Sequence, residues 1–193
     1  MNRLAQLQDA LCTIVTDGEV EEVYQRTPGE AIVAVSELAA RDTLAGLDMA
    51  EVLRYARGLR RKRWDDVAAT IPLSVKVIGG LEGRYHTWLR AHPAEATDTV
   101  VPPGPAEALR ALMDLVKDLG QDPGEAPWAA ELLVFEVLGA CSRADDVSRG
   151  LQAQYPIHRI AEEVRAGLTP IDPPREPHAY AFGNGGVRMK RLG

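Results

Sequence analysis

The sequence predicts a mainly α fold (α+β): a helical N-terminal bundle, then further helices, then a small C-terminal antiparallel β-hairpin or sheet. Three observations predict it. Apolar residues recur at spacings of three and four through most of the chain ahead of the Pro170–Pro177 stretch, which is the period of an amphipathic helix. Those segments are rich in Ala, Leu and Glu, which are strong helix formers. Clean two-residue alternation is confined to the C-terminal end, on either side of Asn184-Gly185-Gly186.

Taken in order, Leu4, Leu7, Leu11 and Ile14 share one face of a first helix that Gly18 ends. Val20, Val23 and Tyr24 continue it briefly before Pro28-Gly29 breaks the chain. Residues 30–40 fit another helix, although Ile32, Val33 and Val35 also suit a strand. Asp48 with Glu51 three residues later has the form of a helix N-cap. The helix it opens runs to about Thr70, buries Leu53, Ala56, Leu59 or Arg60, Trp64 and Val67, and stops at Pro72. A short apolar run, Leu73 to Ile78, ends at Gly79-Gly80. Leu81, Tyr85, Trp88 and Leu89 mark the next helix, which stops near His92-Pro93.

Residues 94–104, with Pro102-Pro103-Gly104, read as a linker between a helical domain, 1–95, and a second domain, 105–193. Pro105 suits the first turn of a helix whose stripe is Leu109, Leu112, Leu115 or Val116 and Leu119. Residues 127–140 are nearly all apolar and long enough for a buried helix. A short strand is expected before Pro156, and a short helix from His158 to Gly167 with Ile160 and Val164 inward. Pro170, Pro173, Pro174 and Pro177 make a connector. His178 to Phe182 and Val187 to Leu192 then form the hairpin.

Composition narrows the function. The 193 residues fit one domain, or one with a small second module. They carry 22 Lys and Arg against 28 Asp and Glu, net −6, and this acidity argues against bulk nucleic-acid affinity. The charge is uneven: residues 51–100 hold nine basic groups and six acidic, whereas residues 1–50 hold three and nine. No apolar run is long enough for a transmembrane helix, and the N-terminus lacks the form of a signal peptide. With only Cys12 and Cys141, a reducing, cytoplasmic location is expected.

No motif announces an enzyme. His86, His92, His158 and His178 have no zinc-ligand spacing and read as surface or structural histidines. There is no nucleophile elbow, phosphate-binding loop or dinucleotide fingerprint. The basic run holds Arg54, Arg57 and Arg61 on one helical face. It is a docking face for an acidic partner or for phosphate, or else a solvated face balanced by the acidic N-terminal part. The alternative function it suggests is a helix-turn-helix-like DNA-binding regulator using helix 54–63. The candidate recognition segment 73–78 offers one Lys and no Arg, Asn or Gln for base edges, so nucleic acid is the less favoured partner. Trp64, Trp88 and Trp128 read as core. The C-terminal hairpin either completes a small sheet over the helices or offers an edge strand to an extended peptide, with Arg188 and Lys190 suiting an acidic one.

Several fragments together resemble a known family. They are Leu7-Gln8, Ile71-Pro72, Ile78-Gly79, Tyr85 and Leu89-Arg90-Ala91-His92-Pro93, then Pro127 to Leu132 with Phe135-Glu136, then Tyr155 to Ile160, and the closing hairpin. In that order they are similar to the helical partner subunits of multinuclear iron-dependent oxidative enzymes, including the partner subunit of methanobactin biosynthesis. Ala94 and Gly83 depart from the pattern. The resemblance implies a non-catalytic accessory subunit. It would form a heterodimer with the iron enzyme and hold the leader of a ribosomally made precursor peptide while the enzyme oxidises the core peptide. It implies no cofactor in this chain, with iron in the partner enzyme; the absence of a long apolar run leaves no membrane among the expected partners. Leader capture by strand addition would then involve Tyr180, Phe182, Val187, Arg188, Met189, Lys190 and Arg191; the basic face of Arg54, Arg57 and Arg61 is, from its charge alone, the candidate docking surface for a partner or a phosphate.

Overall fold

A computed structural model describes residues 48–91, 105–119, 126–183 and 185–192. The helices expected over residues 4–14 and 30–40, the linker of residues 94–104, Cys12, His92 and Asn184 lie outside the described residues. Backbone contacts divide the chain into two compact units. The described part of the first is residues 48–65 and 86–91; that of the second is residues 66–85 and everything described from residue 105 onward.

Helix α1, Met49–Thr70, opens as its sequence dictates. Asp48 Oδ1 accepts the backbone N–H of Ala50 at 3.0 Å and of Glu51 at 3.3 Å, satisfying two donors that no helical turn can reach. Leu53, Ala56, Trp64 and Val67 are buried along it, and Leu59 and Arg60 are half-buried. Pro72 follows its end. The apolar run after it forms one helical turn, α2, Ser74–Val77. Gly80, at φ +64°, then reverses the chain into α3, Leu81–Ala91. Tyr85, Trp88 and Leu89 are buried on α3.

The second unit continues with α4, Pro105–Leu119, and α5, Pro127–Asp145, which pack side by side. Each begins with a proline in its first turn, where the missing N–H costs nothing. Leu112, Leu115 and Leu119 of α4 are buried, as are Trp128, Leu132, Leu133 and Val137 of α5. Asp146 in the left-handed region, at φ 57°, ends α5. Strand β1, Arg149–Ala153, then helix α6, Ile157–Arg165, then β2, His178–Gly183, and β3, Gly186–Arg191, complete the chain. Ile157, Ile160, Ala161 and Val164 form the buried stripe of α6.

The strands make one antiparallel sheet in the order β1-β2-β3. The hairpin pairs Gly183 with Gly186 across its turn and His178 with Arg191 at its far end. The expected strand before Pro156 pairs with the other side of β2, Ala153 opposite His178 and Arg149 opposite Phe182. The fold is therefore mainly helical with a small C-terminal antiparallel sheet. Helix α5 packs on β1 and β2, where His178, Tyr180 and Phe182 are buried in alternation. Phe135 of α5 meets Tyr180 and Phe182 edge-on, with both ring centroids at 5.2 Å. Among the described residues, no helix is long and apolar enough to cross a membrane.

Candidate functional site

Strand β3 is exposed along its whole length and ends the sheet. Its hydrogen-bond phase can be read from one bond beyond it. Leu192 N–H donates to the Pro177 carbonyl at 2.8 Å, which extends the β2–β3 register by one bonded pair. Bonded pairs alternate in an antiparallel ladder, so the others fall at Ala179, Ala181 and Gly183 of β2. The residues between, Val187, Met189 and Arg191 of β3, therefore turn their N–H and C=O groups away from β2. They form a row that no described strand occupies.

Directly opposed residues share a face of a sheet. Val187, Met189 and Arg191 thus lie on the same side as Phe182, Tyr180 and His178, the side that α5 covers. The cover does not extend over β3: Val187 is 46% and Met189 58% exposed. Arg188 and Lys190 lie on the opposite face, in line with Ala181 and Ala179. Arg191 is tied back, its Nη1 3.8 Å from Glu176 Oε2, which Arg159 also approaches at 3.5 Å.

Beside this edge is a groove of about 250 Å³. Phe135 and Gly139 of α5, Phe182 of β2 and Val187 of β3 give it an apolar lining, and Arg143, Arg165 and Glu136 supply its charges. Gly139 is part of this lining; a Cβ there would stand 3.5 Å from both Arg143 Nη1 and Phe182 Cδ1, an ordinary contact distance.

Glu136 holds the far wall together. Its Oε1 accepts Leu73 N–H at 2.9 Å, and its Oε2 accepts Ser74 N–H and Ser74 O–H, each at 2.7 Å. It thereby caps the single turn of α2, whose own residues offer no cap. Burial pushes its carboxyl above the ordinary value, outweighing these hydrogen bonds and nearby Arg165. Glu131 does the same one turn earlier on α5. It accepts Gln154 N–H at 2.9 Å and Tyr155 N–H at 3.1 Å where β1 ends. Burial raises its carboxyl too.

Two histidines far apart in sequence meet under the sheet, His158 and His178, with ring centroids at 5.0 Å. Tyr180 Oη is 2.9 Å from His158 Nδ1 and accepts the His158 backbone N–H at 3.4 Å. In the neutral tautomer with its proton on Nε2, His158 Nδ1 accepts from the phenol; with the proton on Nδ1 the direction reverses. Burial, then the neighbouring His178 and Arg159, push His158 below its ordinary value, against the smaller opposite pull of Glu162 and Glu176. His178 Nδ1 donates to the Glu176 carbonyl at 2.6 Å. Among the described residues, no group of three or more His, Cys, Asp or Glu is placed to hold a metal ion.

The residues expected at the leader site divide accordingly. Val187, Arg188, Met189, Lys190 and Arg191 form the open edge. Tyr180 and Phe182 do not flank it, because β2 is bonded on both sides and buries both rings, 2% and 3% exposed. Phe182 reaches the groove as lining instead. Arg54, Arg57 and Arg61 are exposed along one face of α1, and Arg54 pairs with Glu51 at 3.0 Å. The sequence does not single out Arg143 and Arg165, and Glu136 stands there only as part of a family-like fragment, since single charged residues in helices carry no signal of a groove.

A second hollow, about 600 Å³, lies between Trp128, Tyr155 and the proline-rich connector around Ile171. Arg175 sits over the Tyr155 ring at 5.9 Å, and its Nε donates to Tyr155 Oη at 3.3 Å. It is the larger of the two. No protein-family model, curated protein or solved structure matches the chain.

Proposed function

We propose that this chain is a non-catalytic partner subunit. It binds a multinuclear iron-dependent oxidative enzyme and presents a ribosomally made precursor peptide, whose leader lies along β3 as an added fourth strand. The open edge of β3 carries the reading. Val187, Met189 and Arg191 direct backbone donors and acceptors outward, and the side chains on both faces remain accessible. An extended peptide gains affinity from such main-chain bonds and selectivity from alternate side chains. The family resemblance supplies the enzyme and the reaction.

The contribution of the chain is positional. A leader fixed on β3 raises the effective concentration of the tethered core peptide at the partner's iron centre. The oxidation chemistry belongs to that enzyme. Here Phe135 packs edge-on against Tyr180 and Phe182 of β2, and β2 in turn sets the register of β3.

Co-expression with a candidate multinuclear iron enzyme, followed by affinity purification and metal analysis, tests the partnership. A stoichiometric, iron-containing complex is expected; a chain that purifies without the enzyme overturns it. Met189→Pro tests the edge. It deletes one outward N–H and spares the donors that bind β2, a substitution that edge strands tolerate. The variant should keep the enzyme and lose the precursor peptide.

A further inference from the structure

The groove beside β3 has a charge pattern that the strand edge alone does not require. Arg143, near the end of α5, and Arg165, the last residue of α6, line it together. Neither guanidinium has a hydrogen bond or ion pair among the described residues, although Arg165 is near enough to Glu136 to pull its carboxyl down. Glu136, the anion of the groove, has both oxygens engaged by Leu73 and Ser74. Two cations thus face an apolar lining of Phe135, Phe182 and Val187.

Register says which part of a bound peptide meets them. A residue of an antiparallel added strand opposite Val187 would exchange both backbone bonds with it and place its side chain on the Val187 face. Among the outward-bonding residues of β3, only Val187 lines the groove. The residues on either side of that peptide position would face the other way, toward Arg188 and Lys190.

We infer that the groove selects an extended acidic peptide, reading one Asp or Glu at the Val187 register with Arg143 and Arg165. The stem of that side chain lies on Phe182 and Val187, and its carboxylate meets the two guanidiniums, whose planar donors match it. Arg188 and Lys190 favour further acidic residues on the opposite face. This inference rests on the strand-addition reading and adds the sequence class of the bound segment.

The test is selection from a random twelve-residue peptide library displayed on phage, using the whole chain as bait, followed by affinity measurement on synthetic copies of the winners. Enrichment of one acidic position within a β-favouring stretch is expected. For such a peptide, Arg143→Gln/Arg165→Gln should weaken binding about tenfold, and replacing the acidic residue with Gln should cost the wild type the same and the double variant almost nothing. Winners that bind only while Met189 is intact, yet show no acidic position or ignore the double variant, overturn this inference and leave strand addition standing. Winners indifferent to Met189→Pro, or a library without winners, overturn both.

Discussion

His158 illustrates how a single residue couples the sheet to pH. Burial and the adjacent His178 hold its imidazole below the ordinary 6.5. The unfolded chain therefore takes up a proton that the folded chain refuses, and stability rises with pH across that interval. The contribution is complete above 6.5 and is lost as pH falls through the folded-state value. Melting temperature should drop on acidification from about pH 7.5 to 5.5, and His158→Gln should flatten that part of the profile. Glu136 has the opposite sign. Its folded value lies above 4.5, so the folded chain holds the proton longer, and stability falls as pH rises through the folded value. Glu136→Gln should remove that slope. Glu136→Ala leaves the Leu73 and Ser74 N–H groups without their acceptor and should cost about 1–3 kcal/mol by denaturant unfolding.

Among the elements, α5 organises the second unit. Its apolar residues were legible as a buried helix because almost every position from Trp128 to Leu138 is hydrophobic except Glu131 and Glu136. Those two exceptions are the acceptors that fix β1 and α2, a role visible only once their partners are in place. Gly139 interrupts the same helix at a cost in helix propensity. A methyl there meets Arg143 and Phe182 at 3.5 Å, an ordinary contact. Gly139→Ala should accordingly stabilise the protein by about 0.5–1 kcal/mol, read from the denaturation midpoint at unchanged slope. The strands divide in the same way. The alternation around Asn184-Gly185-Gly186 announced β2 and β3. The pairing of β1 with β2 links residues more than twenty positions apart, and local pattern carries no record of such a partner.

At the scale of the whole molecule, residues 66–85 cluster with the C-terminal residues and not with the helix segments that flank them in sequence. Ile71, Leu73 and Ile78 are buried, and Glu136 is bonded to this stretch. A fragment beginning at residue 105 lacks all of it and should lose cooperative unfolding, followed by circular dichroism, whereas one beginning at residue 64 should retain it. The linker composition of residues 94–104 suggests a cut in the chain; the second unit nevertheless draws on both sides of it. The sequence by itself determined the helices from Met49 to Ala91, the proline-started pair α4 and α5, and the hairpin, because periodicity, caps and turn residues act over a few positions. Only the tertiary structure decided that β2 is the central strand, that β3 is an exposed edge strand, and that Glu136, Arg143 and Arg165 line one groove beside it. Those outcomes depend on contacts between distant segments, where burial and register, not local propensity, set the result.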